Sequence, residues 1–125
     1  MKRAMIVFVL TFVVTSAPAV ADGDVTQGAS VFKKCGACHS VGNGATNKTG
    51  PVLNGVIGRI AGTFEGYNYS QAMRDAGIGG IVWTEEKLAV YLTNPKELVK
   101  GNKMSFPGLK KDDEIQNVIA YLRTF

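Results

Sequence analysis

The chain has 125 residues, with 14 Lys and Arg against 10 Asp and Glu and a formal charge of +4. It holds two cysteines and one histidine, too few for a structural zinc site with four Cys or His ligands. With no repeat, no low-complexity linker and only a small net charge, one small domain with a limited core of its own and no nucleic-acid partner is expected.

The first residues read as an address. Met1-Lys2-Arg3 is a short positive start, Ala4 to Val14 is apolar, and Ala19-Val20-Ala21 is an A-x-A cleavage site. Residues 1–21 are thus expected to be a cleaved signal peptide and residues 22–125 the domain. The rival is a retained membrane anchor, but Thr11, Thr15, Ser16 and Pro18 interrupt the apolar run. Processing would remove Lys2 and Arg3 and two units of charge, so charge placement matters more than net charge.

Asp24 is a candidate N-cap for a helix from Val25 to about Lys34, with Gln27 at the capping-box position and Val31 and Phe32 facing inward. Cys35-Gly36-Ala37-Cys38-His39 follows directly. A C-x-x-C-H run is the attachment signature of a c-type haem. Two thiols three residues apart can add to two vinyl groups, and the adjacent imidazole reaches the iron. A thioredoxin-like dithiol would need a βαβ context that is missing here. A disulfide between Cys35 and Cys38 would close a very small loop and constrain little. Export also suits haem attachment, which happens outside the cytoplasm.

From Ser40 to Gly66 the composition is that of a loop, with Gly50-Pro51 as an internal breaker. Ser70 is expected to cap a short helix, Gln71 to Asp75, and Thr84 a clearer one from Glu85 to about Leu92 with Leu88, Tyr91 and Leu92 inward. Asn94-Pro95 restarts a short helix ending at Gly101, with Pro at its first position. The last helix should run from about Asp112 to Arg123, because Ile115, Val118, Ile119 and Leu122 form an i, i+3, i+4, i+7 stripe. The class is all-α, with four to five helices and long loops wrapped around the haem. An apoprotein without that group should fold poorly.

With one histidine, the opposite haem face is left to a Met, a Lys or no ligand. Met1 and Met5 leave with the leader, so the thioether candidates are Met73 and Met104. Met104 lies in a Gly- and Pro-bounded strap, Asn94 to Gly108, and is preferred. Met73 lies in a helical stretch, where Met commonly fills core. Met ligation favours reduced iron relative to two imidazoles.

Beyond the pentapeptide, the whole mature length resembles a class I c-type cytochrome, closest to the bacterial cytochromes c2 and mitochondrial cytochrome c. The resemblance rests on Gly23-Asp24-Val25, Gly28 and Phe32, Lys34-Cys35-Gly36-Ala37-Cys38-His39-Ser40-Val41 and Lys48-Thr49-Gly50-Pro51. It continues through Gly58-Arg59, Tyr67-Asn68-Tyr69-Ser70, Trp83, Tyr91-Leu92-Thr93-Asn94-Pro95, Gly101-Asn102-Lys103-Met104-Ser105-Phe106 and Ile119-Ala120-Tyr121-Leu122. It implies thioether bonds at Cys35 and Cys38, iron ligation by His39 and Met104, and a Pro51 carbonyl that accepts from the imidazole. It implies that Arg59, Tyr69 and Trp83 serve a buried propionate and that the Tyr91 hydroxyl lies near the Met sulfur. Gly28, Phe32 and Tyr121 would mark the crossing of the terminal helices.

Departures from the family pattern are Met73 where Asn is usual, Asn102 where Thr is common, Glu97 in place of a basic residue, and extra Gly-rich length from Ala76 to Ile81, read as a surface loop. Asn102 is expected to keep a hydrogen bond to a propionate. The function implied is that of a monomeric, periplasmic one-electron carrier and not an enzyme. It would pass electrons from a bc1-type complex to a photosynthetic reaction centre or a terminal oxidase or reductase. Lys33, Lys34, Lys103, Lys110 and Lys111 would rim the exposed haem edge and dock those partners. The acidic groups Glu85-Glu86 and Asp112 to Glu114 are expected elsewhere. The alternative is a c-type haem peroxidase or gas-binding protein with a labile sixth ligand.

Overall fold

The computed structural model describes residues 23–125; the leader and its cleavage point lie outside the described residues. Five helices follow in order: α1 Val25–Phe32, α2 Gln71–Ile78, α3 Glu85–Thr93, α4 Pro95–Leu98 and α5 Asp112–Leu122. Among the described residues the only strand-like pairing is an antiparallel bridge between Ile60 and Val82. No helix of the described residues is long and apolar enough to cross a membrane.

Side-chain caps start the first three helices. The Asp24, Ser70 and Thr84 oxygens accept from the backbone N–H groups of Gln27, Met73 and Lys87, each satisfying a donor that the first turn leaves open. The capping box expected at Gln27 is not closed. The Asp24 N–H instead donates to Asn117 Oδ1 of α5 at 2.8 Å, and Gln27 Oε1 accepts from Asn117 Nδ2. α1 also stops two residues earlier than the pattern suggests. Its exit tightens into turns that carry the two cysteines, with Cys35 N–H on Phe32 O at 2.7 Å and His39 N–H on Cys35 O at 2.9 Å.

α1 crosses α5 at Gly28. A Cβ there would lie 1.9 Å from Asn117 O and 2.8 Å from Tyr121 Cβ, so only a residue without a side chain lets the two backbones meet. The Phe32 and Tyr121 rings pack beside the crossing with centroids 5.4 Å apart. Ile115, Val118, Ile119 and Leu122 are buried on α5, as their spacing predicts. Burying each such side chain contributes about 1.5–3 kcal/mol.

α2 runs three residues past the expected end, through Ala76 and Gly77 to Ile78. Thus half of the segment read as a Gly-rich loop is helix. A Cβ on Gly77 would lie 1.9 Å from Ala61 O, so this glycine serves a close backbone approach and not a turn. Two backbone segments then close against each other, with Ala61 N–H on Ile81 O, Gly58 N–H on Trp83 O and Trp83 N–H on Arg59 O. α4 ends at Leu98, and Gly101 turns the chain with a φ of +88°. The strap that follows is tied back to α3 by Leu109 N–H on Leu92 O at 2.7 Å.

Candidate functional site

One cavity gathers residues from every long segment of the fold. Phe32, Cys35, Cys38 and His39 line it from the first helix and its exit, Thr49, Pro51 and Arg59 from the long loop, Tyr67, Tyr69 and Met73 around the start of α2. Trp83, Leu88 and Tyr91 come from α3 and its approach, Met104 and Phe106 from the strap, Val118 and Leu122 from α5. Each expected site residue, Cys35, Cys38, His39, Pro51, Arg59, Tyr69, Trp83, Tyr91 and Met104, is part of this lining. So is Met73.

His39 is fixed from two directions. Its Nδ1–H donates to the Pro51 carbonyl at 2.7 Å, which leaves Nε2 with its lone pair. Gly50 lies against the ring, where a Cβ would stand 2.5 Å from Cε1. Burial pushes the His39 pKa down, against the opposing pull of the Pro51 carbonyl, so the imidazole favours the neutral form that a metal requires. The Cys35 thiol is pushed up, chiefly by burial, with Lys34 working the other way.

The polar groups of the far wall are tightly held. Arg59 donates from Nη1 to Val52 O and from Nη2 to Asn54 O and stacks over the Phe64 ring at 4.6 Å. Burial lowers its pKa and the neighbouring Tyr69 opposes the shift; a guanidinium stays charged regardless. The Tyr69 hydroxyl accepts from Phe64 N–H at 3.1 Å. Trp83 and Tyr91 pack with centroids 4.7 Å apart, and burial pushes the Tyr91 hydroxyl up to about 12, so it stays a neutral donor.

Three expectations change. Asn102 does not have a spare amide hydrogen for a propionate: its Nδ2 donates to Pro95 O and Val99 O and its Oδ1 accepts from Met104 N–H. Of the five lysines, Lys34 and Lys103 reach the cavity lining, while Lys110 and Lys111 border a second hollow shared with Lys34 and Glu114. Lys33 is exposed and borders neither. Nor are the acidic groups all remote, since Glu114 bonds Lys34 Nζ at 2.9 Å. Sequence reasoning also gave no role to Tyr67, whose hydroxyl donates to Thr49 O at 2.6 Å. The only hint was its place beside Tyr69, whose ring it meets edge-on at 4.7 Å.

The lining suits a flat apolar group with a metal at its centre. Two sulfurs are available for covalent attachment, an oriented imidazole and two thioethers border the same space, and Arg59 supplies a cation for carboxylates. The comparisons agree. The Cytochrome c family model matches residues 25–125. Cytochrome c2 of Agrobacterium tumefaciens (strain II Chrys) is 52% identical over 101 residues, covering 81% of this chain and 91% of that protein. Cytochrome c-550 of Ancylobacter novellus is 52% identical over 99 residues, covering 79% and 92%. The solved cytochrome c2 from Rhodospirillum centenum superposes with a TM-score of 0.77 at 44% identity, covering 82% of this chain and 98% of that one. This chain therefore belongs to the cytochrome c family as a class I cytochrome c2, an electron carrier and not an enzyme, with one haem c attached covalently through Cys35 and Cys38.

Proposed function

We propose that the protein is a periplasmic one-electron carrier whose haem is held between His39 and Met104. It takes electrons from a bc1-type complex and delivers them to a photosynthetic reaction centre or a terminal oxidase or reductase. The observation that carries the ligand assignment is the joint lining of one cavity by Cys35, Cys38, His39 and Met104, with the His39 ring already oriented by Pro51. The haem iron supplies the redox change between Fe(III) and Fe(II). The chain's own work is to hold the imidazole by its Nδ1–H, present the Met104 thioether from the strap, and keep water out with Leu88, Trp83 and Val118. Pro51 makes the imidazole a better donor by accepting its other hydrogen. Arg59 and the Tyr69 and Trp83 side chains would receive a propionate. Tyr91 stays protonated, its hydroxyl near the Met104 sulfur. Export follows from the leader, with cleavage after Ala21 and the mature chain starting at Asp22.

Substitution at the two methionines tests the ligand assignment. The ferric wild type should show the weak long-wavelength band of iron–sulfur ligation. Met104→Ala should abolish it and let the ferrous protein bind carbon monoxide at neutral pH, whereas Met73→Ala should leave it. Loss of the band in Met73→Ala alone would overturn the assignment. Carbon monoxide binding by the wild type would favour the gas-binding or peroxidase alternative.

Docking would use the charged rim around Lys34 and Lys103, with Lys33, Lys110 and Lys111 adding to its field, and the protein would act as a monomer. Rim charges act mainly on association rate and its salt dependence. Lys34→Glu and Lys103→Glu should slow reduction by a bc1-type complex at low salt, and Lys87→Glu, on α3, should do much less. Equal rates for all three would sink the docking surface and leave the haem assignment standing.

A further inference from the structure

Asn102 stands two residues before Met104 and is 5% exposed. Every polar atom of this residue is engaged. Its backbone N–H donates to Val99 O at 3.2 Å, and its carbonyl accepts from Lys96 Nζ at 3.1 Å. Its side-chain Nδ2 donates to Pro95 O at 3.1 Å and to Val99 O at 2.8 Å. Its Oδ1 accepts from the Met104 N–H at 2.8 Å. The orientation of the carboxamide is not ambiguous: two carbonyls can only accept and a backbone amide can only donate. A single side chain thus closes the end of α4 and grips the backbone of Met104.

We propose that Asn102 is a positioning residue whose carboxamide clamps the Met104 strap to α4 and so sets how often the Met104 thioether withdraws from the haem. The inference rests on Met104 as the distal ligand. α4 is a single turn whose Pro95 and Val99 carbonyls already accept from the Val99 and Asn102 backbone N–H groups, so each carboxamide hydrogen adds a second bond that ties the strap to this turn. The strap has few other anchors near Met104. Lys103 Nζ bonds the Asn68 carbonyl from an exposed position, and Leu109 N–H is five residues further on. A hydroxyl in place of the carboxamide has one hydrogen to donate where Nδ2 has two. It would give up at least one of the two bonds that tie the strap to Pro95 O and Val99 O, or release the Met104 N–H.

Imidazole added to the ferric holoprotein reports the withdrawal, because it can enter only when the thioether leaves. Asn102→Thr and Asn102→Ala should keep the iron–sulfur band at low temperature. They should take up imidazole about tenfold or more faster than the wild type, since one to two buried hydrogen bonds are lost. They should also lose the band at a lower temperature than global unfolding as followed by helical circular dichroism. Met104→Ala should bind imidazole without any such delay and lack the band throughout. If Met104→Ala retains the band and the wild-type uptake rate, the ligand assignment has failed. If Met104→Ala is fast but Asn102→Thr and Asn102→Ala match the wild type, the clamp has failed. Should neither Asn102 variant accumulate as holoprotein, amide exchange in the wild type decides: the Met104 N–H must be protected more strongly than the neighbouring Lys103 and Ser105 N–H groups. Exchange at the rate of an open loop would overturn the proposal.

Discussion

The crossing of α1 and α5 and the wall built by α2 and the Met104 strap are held in opposite ways. At the crossing, Val31, Phe32, Ile115, Val118 and Ile119 are buried and the backbones touch at Gly28. α2 has no buried residue, and the strap reaches the cavity through half-buried Met104 and Phe106. Ala72, Met73, Ala76, Met104 and Phe106 touch the core only as partly buried side chains, and polar bonds add to them: the Ser70 cap, the Asn102 carboxamide, Arg74 on the Tyr69 carbonyl and the backbone bond from Ile81 to Ala76. The lesson is that the crossing closes protein against protein and offers only Phe32, Val118 and Leu122 to the cavity, while the wall meets the core through partly buried side chains and faces the space that suits the haem.

Withholding the haem should have the largest effect. A Cys35→Ser, Cys38→Ser chain made without attached haem should lose all amide protection in α2 and the strap. Any residual protection should sit in α1 and α5, at residues such as Val118 and Ile119. Uniform protection across both regions would erase the contrast.

Gly28→Ala attacks the other side. Helix propensity would favour alanine by about 1 kcal/mol, but a methyl 1.9 Å from Asn117 O forces the helices apart. A net loss of about 2 kcal/mol or more is expected, read as a lower urea midpoint for the holoprotein with its iron–sulfur band unchanged at low urea. A loss of the band together with an unchanged midpoint would mean the crossing and the wall are coupled differently.

The smallest effect is expected at Glu85, whose carboxylate accepts from Arg123 Nε at 2.6 Å and Nη2 at 3.0 Å. The Arg123 hydrogen bond holds Glu85 below its ordinary value. Its contribution is therefore present above the ordinary glutamate pKa and is lost as pH falls through the lower folded value. Glu85→Gln should cost under about 1 kcal/mol at neutral pH, and the gap to wild type should close in acid. A gap independent of pH would show that the ion pair is not its source.

Much of the crossing was legible because it is written locally. Asp24 caps α1 as its side chain suggests and the α5 stripe is buried as spaced; outside the crossing, Ser70 and Thr84 cap by the same local rule. The wall was less legible. Gly77 weakens helix propensity and reads as loop, yet its bare Cα is what lets α2 continue past Ala61. The Asn102 carboxamide could be matched to its carbonyls only once α4 had turned Pro95 and Val99 toward it. Lys34 and Glu114 are 80 residues apart, and nothing local to either predicts that they would pair. The Gln27 box failed for the same reason, since Asn117 arrives from the other end of the chain. The nine expected site residues nonetheless converge on one cavity, because a motif conveys proximity even where geometry must be seen.

Gly50 and Pro51 grip the His39 ring by face and by edge, and this has a kinetic meaning. The rate at which a carrier exchanges an electron depends on how far its atoms must shift when the charge changes. An imidazole hemmed in by Gly50 and bonded to the Pro51 carbonyl would, as the proposed ligand, already be in place before the electron arrives. The breaker dipeptide in the middle of a long loop is thus a vice, and with His39 on the iron as proposed its stiffness would let the same site serve the oxidised and the reduced protein without rebuilding.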